Sequence, residues 1–373
     1  MRLIYSDHYH IIDKSMSDSQ VGGRKDKNVR NHVWVVNGII CDTLSTKKKT
    51  PIDIQILDYK QCFDSLWLKE CLNDIFVSGV KNDNLVLLYD INRKVKMSVK
   101  TPVGKTETEI IRNVITQGDV FGPILCSNQI DQFGKECLED NKYTYLYKDK
   151  VKIPPLGMID DVLCVSECGH KTVMLNSFLQ FKSDSKKLQF GVNKCKKLHV
   201  GQNSYDFRCP ELAVPKWKEV FKTDEADGDF AIIDIFDGEE VMEEKDDERY
   251  LGEIISTDGR NIKNIKARIA KGVGIVNKVM TILDTVPFGR RHFEIGILLR
   301  YSLLTSSMLF NSETWYNVSK AELDLLETID VKFLRQLLGA PKWTPTEMLY
   351  LETGCLPYRD IIRERRLSFC ITF

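Results

Sequence analysis

The apolar and polar positions of this chain predict strands and helices in alternation up to about residue 200, and helices alone beyond residue 260. Residues 1–50 are polar and mixed, with a Gly-punctuated basic loop from Ser17 to Lys25. Asn28 to Cys41 predicts a helix carrying Val33, Val36, Ile39 and Ile40 on one side. Ile52-Asp53-Ile54-Gln55-Ile56-Leu57-Asp58 alternates and then turns apolar, a strand that enters a core and delivers Asp58 at its C-terminal end. Asp64 is the expected N-cap of a helix through Trp67, Leu68, Leu72, Ile75 and Phe76, with Gly79 as its C-cap. Leu85 to Ile91 predicts a second helix. Val95, Met97 and Val99 then alternate with lysines and Ser98 ahead of the turn Thr101-Pro102-Val103-Gly104, a hairpin whose return strand reaches Ile115. Gln117-Gly118-Asp119-Val120-Phe121-Gly122-Pro123 opens a helix through Ile130, Phe133 and Cys137, and Tyr143 to Val151 reads as a strand.

Gly157-Met158-Ile159-Asp160-Asp161-Val162-Leu163-Cys164-Val165 follows, two adjacent carboxylates between apolar runs. At this length it predicts a tight hairpin with the acids at its tip, serving either turn chemistry or a divalent cation. A helix from Val173 to Phe181 comes next. Leu188 to Val192 and Leu198 to Val200 then bracket a turn holding Asn193, Lys194 and Cys195. This order is a split βαβ pattern. It implies an α+β fold in which helices back an antiparallel or mixed sheet. Beyond a composition break at 203–249, Ile262, Ile265, Ile269, Val273, Val276, Met280 and Leu283 form one apolar stripe. Lys263, Arg268, Lys271 and Lys278 lie off that stripe, on a face suited to solvent or to phosphates. His292 to Phe310 predicts a longer apolar helix, and Ser319-Lys320-Ala321-Glu322 a capping box that starts a helix ending near Gly339 and Pro341. With Glu347 to Cys370 these make a helical C-terminal domain.

Composition changes this picture in three places. Apolar content of 43% and charge of 28% over 373 residues fit an ordinary soluble protein with ample core, and no apolar run approaches the roughly 20 residues of a membrane span. Eleven cysteines in apolar contexts suit a reducing, nuclear or cytoplasmic compartment without a disulfide-linked partner. Cys164, Cys168 and His170 lack a second metal-binding half, so zinc is set aside. The formal net charge of zero hides an uneven distribution. Phe221 to Glu248 holds thirteen acids against two lysines, so the remainder carries +11, and a basic body of that kind suits a nucleic-acid partner.

Asp58 at a strand end and Asp160 at a hairpin tip would share one edge of the sheet, where converging carboxylates can hold hard cations such as two Mg²⁺. Here the residues carry a resemblance. Asp58-Tyr59-Lys60-Gln61-Cys62-Phe63-Asp64 resembles the first palm motif of reverse transcriptases of non-LTR (LINE-type) retrotransposons. Gln117-Gly118-Asp119 with Pro123 is similar to their second motif and Ile159-Asp160-Asp161 to their Asp-Asp box. Gly191-Val192-Asn193-Lys194-Cys195-Lys196 resembles their lysine-bearing motif, Tyr250-Leu251-Gly252 their primer grip, and Gln20-Val21-Gly22-Gly23-Arg24 their last fingers motif. The resemblance implies a polymerase palm followed by a helical thumb-like domain. Its parts would be a fingers remnant at 1–50, palm at 51–202, acidic excursion at 203–249, and primer grip with thumb at 250–373. It implies RNA-directed DNA synthesis with Asp58, Asp160 and Asp161 as ligands of two Mg²⁺ and Lys194 as proton donor to pyrophosphate. Phe63, Gln117, Gly118 and Arg24 would bind the nucleotide, with Phe63 selecting against a 2′-hydroxyl. RNA template, DNA primer and dNTPs would be the partners, with no membrane. Met158 stands where the family usually has an aromatic residue. The earlier fingers motifs are absent, so the sequence reads as a truncated copy, either still active or a relic that at most binds nucleic acid.

Overall fold

The computed structural model describes residues 2–45, 50–111, 115, 121–167, 170–201, 213–223 and 230–372. The chain forms two compact units, Met1–His32 with Thr46–Asp246, and Val33–Ser45 with Asp247–Phe373. The division falls inside helix α2 (Val29–Ser45), which follows α1 (Arg2–Ser15). Val33–Ser45 thus belongs to the second unit and the residues up to His32 to the first.

The first unit is built on a five-stranded sheet. In chain order its strands are β1 (Ile52–Leu57), β2 (Leu156–Met158), β3 (Asp161–Glu167), β4 (Lys196–Val200) and β5 (Glu243–Glu244), and in space they run β5-β4-β1-β3-β2. All pairs are antiparallel except β4 with β5. Helices α3 (Cys62–Ser65), α4 (Leu68–Val77), α5 (Asn82–Asn92), α6 (Gly122–Glu139) and α7 (His170–Ser185) lie between the strands in sequence. Val162 and Cys164 of β3 pack in one core with Leu72 and Ile75 of α4, Ile124 and Phe133 of α6 and Leu175 and Leu179 of α7. The alternate residues Leu163 and Val165 are buried as well. With both faces of the sheet covered, the polar positions of β1 are also interior: Asp53 and Gln55 are both buried. Asp53 is satisfied there by the Thr172 hydroxyl at 2.9 Å and by His199 Nδ1 at 2.9 Å.

Several local expectations need correction. Asp64 does not cap the long helix. It lies inside α3, and Trp67 stands at the N-cap of α4. Tyr143 to Val151 is not one strand: Tyr145–Tyr147 and Val151–Ile153 pair as a hairpin, turned by Lys148 and Asp149 at φ 52° and 57°. The predicted return strand toward Ile115 is present as Glu109–Ile111, paired with Val95–Met97. Within the expected acidic excursion, Ala213–Thr223 pairs with Phe230–Val241 as a long hairpin.

The second unit contains the hairpin β6 (Asp247–Tyr250) and β7 (Glu253–Ser256), then α8 (Ile262–Leu283), α9 (Arg290–Leu299), α10 (Ser306–Met308), α11 (Lys320–Leu338), α12 (Thr346–Thr353) and α13 (Tyr358–Thr372). Leu251 and Gly252, at φ 47° and 85°, turn the hairpin. Its end is fixed by buried Glu253, which accepts from Arg268 Nη2 at 2.6 Å and from Asn264. Ile265 and Val276 of α8 meet Leu304, Met308, Phe333, Leu337 and Tyr358 in one core. The capping box is present as read: the Glu322 amide donates to the Ser319 hydroxyl at 3.2 Å, and the Ser319 amide to Glu322 Oε2 at 2.7 Å. Gly339 at φ 61° closes α11 in the left-handed conformation that glycine tolerates.

One reading about length changes. The helical stretch Arg290–Thr314 contains an 18-residue window of mean hydropathy 1.3, long and apolar enough by length and composition to cross a membrane. The sequence pattern hid it because Arg300 interrupts the apolar run. Arg300 is itself buried, paired through two hydrogen bonds of 2.8 and 2.7 Å with buried Asp330, in a π-helical turn over Arg300–Thr305. Leu304 and Met308 beside it join the core of the second unit, while Leu298, Tyr301, Leu303 and Phe310 are exposed, so a third of the apolar window is buried.

Candidate active site

The sheet brings the predicted acids to one end. Leu57 of β1 pairs with Val162 of β3, so the register continued by one residue sets Asp58 opposite Asp161. Asp161 also pairs with Met158, which leaves Ile159 and Asp160 as a two-residue turn. Ile159 has φ 60°, a conformation that costs a β-branched residue about 1–3 kcal/mol.

Asp58 is held by the loop after α7. Its amide donates to Cys195 Sγ at 3.3 Å and its carbonyl accepts from Gly191 at 2.8 Å. On the next residues, Lys60 N–H donates to the Gln189 carbonyl at 2.8 Å, and the Tyr59 ring stacks on Phe190 with centroids 4.6 Å apart. Gly191 also accepts from the amides of Lys194 and Cys195, at 2.7 and 3.1 Å. That tight turn sets Lys194 Nζ 3.3 Å from Asp58 Oδ2. The first and the lysine-bearing motifs therefore meet in space. The sequence places Gly191 and Cys195 in the lysine-bearing motif without assigning them a task, and here they hold the Asp58 backbone.

The electrostatics of this end are unfavourable to its own charges. Partial burial, then the charges of Asp160 and Asp58, push the Asp161 carboxyl up to about 6. Burial, with the charge of Asp58, also raises the Asp160 carboxyl, against the opposing pull of Lys194. Asp58 Oδ2 is buried and makes no well-aligned hydrogen bond, its partner among the described residues being the Lys194 ammonium 3.3 Å away. A carboxylate oxygen met by one exposed ammonium, beside two carboxyls that resist ionisation, is a donor set suited to a hard divalent cation, which takes oxygen ligands and offsets the repulsion. The fit is partial in number. Among the described residues no ready-made cluster of three or more metal-ligating side chains is gathered, so a cation here would take its remaining ligands from substrate and water.

The other predicted residues stand as follows. Phe63 lies on α3, half-buried against the core of its unit. Gln117 and Gly118 lie outside the described residues. Arg24 is not free to meet a phosphate. Its guanidinium donates to Asp13 Oδ1 at 2.6 Å and to the carbonyls of Asp13, Ser17 and Gln20 at 2.8, 2.5 and 2.8 Å. The side chain is buried and ties down the loop that carries it. Tyr250, of the expected primer grip, is buried at the end of β6.

Residues 2–255 of this chain match the family model described as reverse transcriptase (RNA-dependent DNA polymerase). No curated protein matches it. Among solved structures it is similar to the telomerase from Candida albicans in complex with a fragment of telomeric RNA, at 12% identity and TM-score 0.49, over 95% of this chain and 58% of that one. It is also similar to the Candida tropicalis telomerase with a telomeric RNA fragment, at 11% identity and TM-score 0.45, over 95% of this chain and 56% of that one. The chain thus spans less than two thirds of the length of these structures. The family match, rather than these likenesses, carries the assignment.

Proposed function

Because this chain belongs to the reverse transcriptase (RNA-dependent DNA polymerase) family, we propose that its palm adds deoxynucleotides to a primer 3′-hydroxyl on an RNA template. We further assign it to the LINE-type branch, on the motifs quoted above. The observation that supports the activity is the convergence of Asp58, Asp160 and Asp161 at one sheet end, with Lys194 reaching Asp58 Oδ2 from the exposed side. Asp58, Asp160 and Asp161 would hold Mg²⁺. When bound, such ions neutralise charge on the attacking and leaving oxygens of phosphoryl transfer.

The chain's own residues have separate tasks in this reading. Asp58 is fixed through its backbone, so its carboxylate keeps its place whether or not Lys194 is engaged. The Lys194 side chain is 68% exposed, with Asp58 as its ion-pair partner, so it can turn to the leaving pyrophosphate and give up a proton there. Phe63, fixed on the core, supplies bulk against a 2′-hydroxyl. The test is primer extension on an RNA template with dNTPs and Mg²⁺, comparing this chain with Asp160→Ala. Extension by the parent and a loss of about a hundredfold or more in the variant is the expected result. A folded parent without extension overturns the reading.

A further inference from the structure

We propose that Gln20 is a positioning residue that clasps the strained Ile159–Asp160 turn and so sets where Asp160 stands. This rests on the reading of the carboxylates given above only for its consequence. The clasp itself is a matter of geometry within the first unit.

Gln20 is buried, and every hydrogen-bonding position of its amide is used. Oε1 accepts from the Ile159 amide at 3.1 Å and from the Gly22 amide at 3.0 Å. Nε2 donates to the Ile159 carbonyl at 3.2 Å and to the Ser127 carbonyl at 3.5 Å. One side chain thus grips both backbone groups of the one residue in the hairpin that has an unfavourable φ. The backbone around Gln20 runs against the hairpin as well. Val21 N–H donates to the Gly157 carbonyl at 2.9 Å, and Gly157 N–H to the Ser19 carbonyl at 2.8 Å.

Two glycines make room for the clasp. A Cβ on Gly157 would stand 2.7 Å from Gln20 Nε2, and a Cβ on Gly22 would collide with the Ile159 backbone. Neither glycine has a positive φ, so close approach, not conformational freedom, is what they supply. Arg24 adds a further layer by bonding the Gln20 and Ser17 carbonyls. The loop around Gln20 is therefore built to hold a side-chain amide against a turn that a β-branched residue would otherwise leave.

The test measures amide hydrogen exchange by peptide in the whole chain, for the parent, Gln20→Ala, and Gln20→Ala with Ile159→Asn. Asparagine tolerates the left-handed conformation, so it should hold the turn without the clasp. Exchange over residues 156–162 should speed up about tenfold in Gln20→Ala, while α6 and α7 keep the parent rate, and should return toward the parent in the double variant. Unchanged exchange at the turn, or faster exchange across the whole palm without rescue, overturns the proposal. If Gln20→Ala does not fold, Gln20→Glu retains the acceptors and loses the donor to Ile159, and the same two results apply. Mn²⁺ binding followed by electron paramagnetic resonance is read alongside. Affinity about tenfold weaker in Gln20→Ala and recovered in the double variant ties the clasp to Asp160. A parent that binds no Mn²⁺, with the turn still loosened, counts against the metal reading and leaves the clasp standing.

Discussion

Asp161 shows how a single residue at this site reports on the rest. Its carboxyl is pushed up to about 6, first by partial burial and then by the charges of Asp160 and Asp58, whereas in the unfolded chain it would titrate near the usual 3.8. A raised carboxyl means the folded protein holds the proton more tightly than the unfolded one. The penalty is therefore full above pH 6 and is relieved as pH falls through 6 toward 4. Asp160 shifts the same way. Through this carboxyl the metal-free protein should gain about 2 °C in melting temperature at pH 5 relative to pH 7.5, once solvent screening of the partly exposed Asp161 is allowed for, set against the opposite slope of buried His32, whose imidazole is held down to about 4. Asp161→Asn should flatten that difference, and Mg²⁺ should raise the melting temperature at pH 7.5 more than at pH 5, because protons compete for the same oxygens. Calorimetry of parent and Asp161→Asn at the two pH values checks both statements, and a gain at pH 5 no larger in the parent than in the variant contradicts them. Asp58 and Asp160 were legible in sequence because strand alternation and a turn between apolar runs are local signals. Gln20 and the true partners of Arg24 were not. Gln20 meets Ile159 across 139 positions, and the Arg24–Asp13 pair is set by how α1 and the loop fold back, which no local pattern encodes.

At the scale of elements, legibility follows how local the cause is. The capping box of α11 rests on two residues three apart, and it is present as the pattern predicts. Ser319→Ala should cost about 1 kcal/mol in urea unfolding, through loss of one cap to the Glu322 amide. The hairpin within Tyr143 to Val151 had no such sign, since Lys148 and Asp149 adopt positive φ without glycine. Nor did periodicity disclose that Arg300 turns inward, where its charge is met by Asp330, by the Leu356 carbonyl at 2.9 Å and, through Asp330, by Tyr350 at 3.1 Å. Removing one partner leaves the other charge buried. Arg300→Met should therefore destabilise by about 3–5 kcal/mol, and Arg300→Met with Asp330→Leu should recover a large part of that. Chemical denaturation of the two variants decides it. A single variant no worse than the double one would mean that Asp330 finds water or another partner.

The whole molecule has a net charge of zero built from unlike parts, and this governs how it would meet a polyanion. Residues 213–241, which contain the long acidic hairpin, carry nine acids and three lysines, so a chain without them has a net charge of +6. Two effects act on such binding, and the first is counterion release. If lysines and arginines neutralise phosphates, log affinity for an RNA–DNA duplex falls linearly with log salt, by about 0.9 per phosphate contact on duplex. The second is range. A charge change away from the contact surface acts through a field screened over about 8 Å at physiological ionic strength. Deleting 213–241 should therefore strengthen duplex binding most at 50 mM salt, leave the slope nearly unchanged, and make no difference near 0.5 M. Fluorescence anisotropy across that salt series separates the cases. A steeper slope after deletion means the hairpin had been occupying phosphate-binding residues directly. A flat dependence in the parent means the basic body does not bind nucleic acid through phosphates at all, and the polymerase reading would then lose its template.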